Sequence, residues 1–117
     1  MLNQLLIVGR LIKDPELRET ENGRKVTNIT LAVPRSYKNL DGEYETDYFD
    51  CVLWSTVAES VVNYCKHGDL LGVKGRIQNR TVENENSKTK VMEIVAEKVS
   101  FLSTRKHELQ KENGERC

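Results

Sequence analysis

The sequence predicts an all-β domain: a five-stranded Greek-key barrel with one helix between its third and fourth strands. Three observations carry this expectation. Apolar residues alternate with period two in five segments punctuated by Gly, Pro, Asn and Asp; one segment alone has apolar residues at helical spacing; and that segment falls between the third and fourth alternating runs. At 117 residues the chain fits one domain with a real hydrophobic core.

The first run covers residues 2–12. Leu5, Ile7, Gly9 and Leu11 share one face and Leu6 and Val8 take the other, so both faces look covered. Asp14-Pro15 forces a bend. Glu21-Asn22-Gly23-Arg24 is a turn signal, and the second strand, Lys25 to Val33, alternates Ile29, Leu31 and Val33 with Asn28, Thr30 and Ala32. Pro34 is expected to end that strand, leaving Arg35 to Glu45, with Asn39-Leu40-Asp41-Gly42 at its tip, as a long polar connection. In the third strand, Tyr44 to Trp54, period two puts Tyr48, Asp50, Val52 and Trp54 on one face and Phe49, Cys51 and Leu53 on the other.

Thr56-Val57-Ala58-Glu59 has the form of a capping box. The apolar stripe Val57, Ala58, Val61, Val62 and Cys65 makes a helix that Gly68 is expected to close. Leu70 to Arg80 returns to period two, with Leu71, Val73, Gly75 and Ile77 inward and Lys74, Arg76, Gln78 and Arg80 forming a basic outer row. Glu83 to Thr89 reads as a polar loop and Val91 to Leu102 as the last strand. The domain is thus placed at 1–102. Residues 103–117 read as a polar, disordered tail, with a short frayed helix conceivable at 107–111. This order of elements is that of the OB-fold, a common platform for oligonucleotides.

Composition narrows the function classes. The longest apolar runs are four residues, such as Leu5 to Val8, which is too short for a membrane helix, and the N-terminus lacks the layout of a secretory signal, so a cytoplasmic protein without membrane contact is expected. Cys51, Cys65 and Cys117 form no CxxC pair and leave an odd thiol, arguing against zinc and disulfides. In Cys65-Lys66-His67 the thiol lies on the apolar helix face and the imidazole at the helix end, where the dipole favours a cation. The chain has no phosphate-binding glycine loop and no convergent acidic pair, so no catalytic group, metal or cofactor is expected. Formal net charge is zero, so nucleic-acid binding would need a local basic patch.

Such a patch has candidates. Single-strand binders stack bases on aromatic rings and follow phosphates with basic side chains. Tyr37 sits between Arg35 and Lys38 in a polar segment with little core to join, while Tyr48 and Trp54 share a strand face. Trp54 could equally be a core residue beside the helix; Tyr64, next to the helix stripe, reads as structural. Arg10, Lys13, Arg18, Lys74, Arg76 and Arg80 would each pass singly as solvated surface, but they cluster on strands expected to be neighbours.

These residues resemble the bacterial-type single-stranded DNA-binding proteins. The likeness rests on Asn3 to Arg10 with Asp14 to Arg18, on Val26 to Val33, on Thr46 to Trp54 with Ala58-Glu59, and on Tyr64 to Arg80, and together these cover nearly all of residues 1–102. The resemblance implies an OB-fold that assembles as a homotetramer and wraps single-stranded DNA. It places stacking aromatics on Tyr37, Tyr48 and Trp54 and basic contacts on Arg80, Arg10, Arg18, Lys38, Lys66 and Arg76. A further family aromatic falls on Val82, implying weaker stacking there. The family's long linker and acidic, Phe-terminated tip are not matched by the residues up to Cys117, so the chain resembles the short, tailless accessory members, and tail-mediated recruitment of replication enzymes is not expected.

The expected function is sequence-independent binding and protection of single-stranded DNA during replication, recombination, repair or DNA uptake, without catalysis. Two alternatives stand beside it: an OB-fold subunit that co-assembles with a longer paralog, and an RNA-binding module, since stacking and phosphate contacts distinguish the sugars only where a 2′-OH is read.

Overall fold

The computed structural model describes residues 1–103; of the tail expected at 103–117, Ser103 ends the last strand and the rest, with its frayed helix, lies outside the described residues. The elements run β1 (Leu5–Leu11), β2 (Arg18–Glu19), β3 (Lys25–Lys38), β4 (Tyr44–Trp54), α1 (Ser55–Tyr64), β5 (Leu70–Asn84) and β6 (Ser87–Ser103). The strands form one sheet in the order β1-β5-β6-β4-β3-β2, and pairing of β1 with β3 closes the five long strands into a barrel with the helix between the third and fourth of them. That is the expected OB-fold. The short β2 adds a two-residue flap on β3.

The barrel is filled by the inward positions of every long strand. Leu11, Ile29, Leu31, Cys51, Leu53, Leu71, Val73 and Ala96 form the core, joined by Ala58 and Val61 of α1 and by Cys65 just after it. Gly75 is required by a close approach: a Cβ there would lie 2.1 Å from the carbonyl oxygen of Val95, where β6 bulges against β5. Burial pushes the thiols of Cys51 and Cys65 up to about 11. Because the thiolate is the nucleophile, neither should react with iodoacetamide at pH 8 in the folded protein, whereas both should in urea; peptide mapping by mass spectrometry reads this directly.

Four local expectations are corrected. β3 does not stop at Pro34 but continues to Lys38, with Pro34 opposite Thr46 and a register shift after it. Among the described residues no second strand pairs with β3 beyond Ala32, so a residue without an N–H is tolerated there. The polar loop expected at 83–89 shrinks to Glu85 and Asn86, because β5 and β6 stay paired out to Asn84 and Ser87. The capping box does not form: Trp54 is the N-cap and its side chain makes no capping hydrogen bond, and Glu59 instead pairs with Lys25 at 2.5 Å. The helix ends at Tyr64 with Cys65 as an extended C-cap, leaving Gly68 and His67 in the following loop.

β1 also departs from expectation. Its inward face is covered, but Leu6 is 73% exposed and Val8 is exposed as well. Among the described residues, the strand pairs between Leu5 and Gly9 with β5 alone. The described residues thus present an apolar strand face beside an edge that no other described strand pairs.

Candidate nucleic-acid interface

β4 sets the site. Its alternation sends Cys51 and Leu53 into the core, so Tyr48, Asp50, Val52 and Trp54 are held on the outer face by the packing of their neighbours. Tyr48 stands opposite Ala32, whose small side chain leaves the ring 64% exposed. Trp54 is half-buried where β4 passes into α1, opposite Val26, so both readings of it hold in part. Its ring is covered on one side by the guanidinium of Arg24, 4.2 Å from the ring centroid. Arg24 escaped sequence reading because its Asn-Gly context reads only as a turn; cross-strand proximity to Trp54 has no signal in local spacing.

Tyr37 lies near the end of β3, beyond the closed barrel, and is as exposed as Tyr48. Its cationic flank differs from the expectation. Arg35 is a cross-strand staple, donating to both oxygens of Asp47 at 3.0 Å and to Glu45 at 2.6 Å. The hydrogen bond from Arg35 holds the Asp47 carboxyl below the usual carboxylate range. That leaves Lys38, whose Nζ lies 5.7 Å from the ring centroid of Tyr44.

The basic row is on the expected strand, but that strand is not adjacent to β4. β6 runs between β5 and β4, pairing with β5 in antiparallel fashion and with β4 in parallel through Cys51↔Ile94 and Val52↔Val95. The outer face between the aromatics and the arginines therefore carries β6 side chains. Lys13, Asn28, Thr30, Asp50, Arg80 and Glu93 line a shared groove there, with Val91 and Met92 along it. Arg80 Nε donates to Glu93 at 3.2 Å, and Arg76 lies 3.9 Å from Glu97. Both carboxylates sit on β6, and their closeness to the arginines comes from register that the sequence alone does not reveal.

The remaining candidates are spread out. Arg10 donates to the Gly68 carbonyl at 2.9 Å, on the β1 side of the barrel. Arg18 lines a second groove with Lys13, Asp14, Glu16 and Asn28, which connects it to the first through Lys13 and Asn28. Lys66 has an exposed side chain in the loop after the helix, where its backbone N–H donates to Asp69. Lys74 pairs in register with Leu6 and Lys98 and so belongs to the apolar β1 face, not to the aromatic row. Val82 is half-buried on the β5–β6 hairpin opposite Thr89. Tyr64 is 70% exposed, contacting Phe101 at 6.1 Å between centroids, so it does not join the core as its position suggested.

Among the described residues no group of three or more His, Cys, Asp and Glu is placed to hold a metal ion, and no helix is long and apolar enough to cross a membrane. What the outer face offers is rings and guanidiniums on a rigid sheet, the means of holding flexible, unpaired nucleotides.

Known proteins resemble this chain over most of its length. The chain is 49% identical over 109 residues to "Single-stranded DNA-binding protein B" of Bacillus subtilis, covering 92% of this chain and 96% of that one. It is 52% identical over 106 residues to the "Single-stranded DNA-binding protein" of Halalkalibacterium halodurans, and 50% over 103 residues to "Single-stranded DNA-binding protein A" of Bacillus subtilis. These alignments cover 90% and 87% of this chain but only 63% and 60% of the two relatives. The model of the single-strand binding protein family matches residues 2–102, and the chain belongs to that family.

Proposed function

We propose that the protein binds single-stranded DNA without regard to sequence, by stacking bases on Tyr37, Tyr48 and Trp54 and drawing the backbone to Arg80, Arg76 and the nearby lysines. The observation that carries this reading is the row of Tyr48 and Trp54 on one outer face of β4, exposed or half-exposed and facing the same way as the arginines of β5. Duplex DNA presents base edges in its grooves, not ring faces, so such a row discriminates for unpaired strands. The protein acts by holding and protecting the strand rather than by chemistry, in the cytoplasm, during replication, recombination, repair or uptake. Competition binding tests this: labelled poly(dT) should be displaced by unlabelled single strands of any sequence and not by duplex. Displacement by duplex at equal mass would overturn it, and equal displacement by poly(U) would extend the ligand to RNA.

Self-assembly belongs to the same proposal. Leu6 and Val8, beside the stretch of β1 that among the described residues pairs on one side only, form the kind of apolar edge that folded proteins cover by association. A homotetramer built across this face is the assembly we propose, leaving the β4 face open to DNA. Leu6→Glu with Val8→Glu should shift the mass seen by native mass spectrometry to smaller species with the circular dichroism unchanged; persistence of the wild-type assembly would place the interface elsewhere.

A further inference from the structure

The guanidiniums on the outer face are already partnered. Glu93 is held at a fixed place by two donors: Arg80 Nε to one oxygen at 3.2 Å, and Gln78 Nε2 to the other at 2.7 Å. Its side chain is 22% exposed, against 59% for that of Arg80, so the carboxylate is the enclosed member and the guanidinium the outer one. The same groove holds Asp50, whose Oδ1 accepts from the Thr30 hydroxyl at 2.5 Å. A zero net charge is thus reproduced locally, with anionic oxygens among the cations that would meet phosphate.

From this placement we infer that Glu93 sets the affinity of the site, as a built-in competitor of the DNA backbone for Arg80. The inference rests on the DNA-binding reading above. A phosphate approaching Arg80 meets Glu93 on the far side of the same guanidinium. It must either share the guanidinium with a like charge a few ångströms away or displace the carboxylate. In both cases Glu93 subtracts from the attraction. Displacement also weakens the counterion effect: cations leaving the phosphate are offset by a cation drawn to the released carboxylate. The restraint suits a protein that must hold single strands and also let them go.

Glu93→Gln tests this, because it keeps the size and the acceptor for Gln78 while removing the charge. Poly(dT) titrations of the full chain across a salt series should show about fivefold tighter binding at low salt, the equivalent of one unit-charge repulsion at about 4 Å in water. The log–log salt slope should steepen by about 0.7, one further phosphate contact. In an Arg80→Gln background the same substitution should leave the slope unchanged. If Glu93→Gln does not fold, Glu93→Thr, neutral and strand-favouring, carries the same expectation. Unchanged or weaker binding by the folded variant would overturn the inference, weaker binding meaning that Glu93 orients Arg80 for phosphate. If the wild-type protein failed to bind poly(dT), the DNA-binding reading itself would fall.

Discussion

Replacing Tyr48 and Trp54 together with alanine is expected to weaken poly(dT) binding by about 2–6 kcal/mol, from about 1–3 kcal/mol for each base lost from an aromatic platform. The losses should add, because six residues of extended strand at about 3.3 Å each hold the side chains about 20 Å apart, beyond the range in which neighbouring sites couple. Isothermal titration calorimetry of the two single variants and the double variant checks both size and additivity. Neither side chain belongs to the core cluster, so the double variant should keep most of the wild-type stability and its binding loss should not come from unfolding.

Leu53→Ala is the counterpart on the other face of the same strand. Leu53 is fully buried between the platforms, pairs in register with Thr27, and packs in the cluster that joins β4 to α1 and β5. Truncating such a residue costs about 2–5 kcal/mol, depending on how far the walls collapse into the cavity. For a small domain whose whole stability is about 5–15 kcal/mol this is a large fraction. Urea denaturation should show a lower midpoint with an unchanged slope. Binding by the molecules that stay folded should change little, since the outer residues of β4 keep their pairing with β3.

The two variants separate what the sequence made legible from what it did not. From Thr46 to Trp54, β4 was readable because one face turns to the core and the other carries polar and aromatic side chains, so alternation reports burial directly. The helix stripe was readable for the same reason: Ala58, Val61 and Cys65 are all buried. Pro34 and the capping box misled because each is a local signal with a tertiary answer. A proline is harmless where no second strand needs its donor, and a glutamate placed to cap a helix serves equally well as the partner of Lys25. The exposed outer face of β1 looked like core because Leu6 and Val8 are apolar, and apolarity alone does not distinguish an interior face from one awaiting a partner.

The site was legible in its residue types and less so in its arrangement. Tyr48, Arg76 and Arg80 are accessible side chains on the strands expected to carry them, and Tyr37 is equally accessible but lies on the extension of β3 where a polar connection was expected. Period two says which side of a strand a residue faces but not which strand lies alongside. The insertion of β6 between β5 and β4, which brings Glu93 to Arg80 and Glu97 to Arg76, is a property of Greek-key topology, and the packing of Arg24 on Trp54 comes from the pairing of β3 with β4. The charge balance seen in composition therefore has a structural form: cations at the site are matched by carboxylates from the neighbouring strand.

The chain has one tryptophan, so its emission reports a single position in the proposed site. Titrating the protein with poly(dT) at low and high salt, with duplex DNA alongside, tests the central claim most directly. Quenching of Trp54 by the single strand alone, weakening with salt, is the predicted result; tight binding of poly(dT) with Trp54 emission unchanged, or equal quenching by duplex, would contradict it.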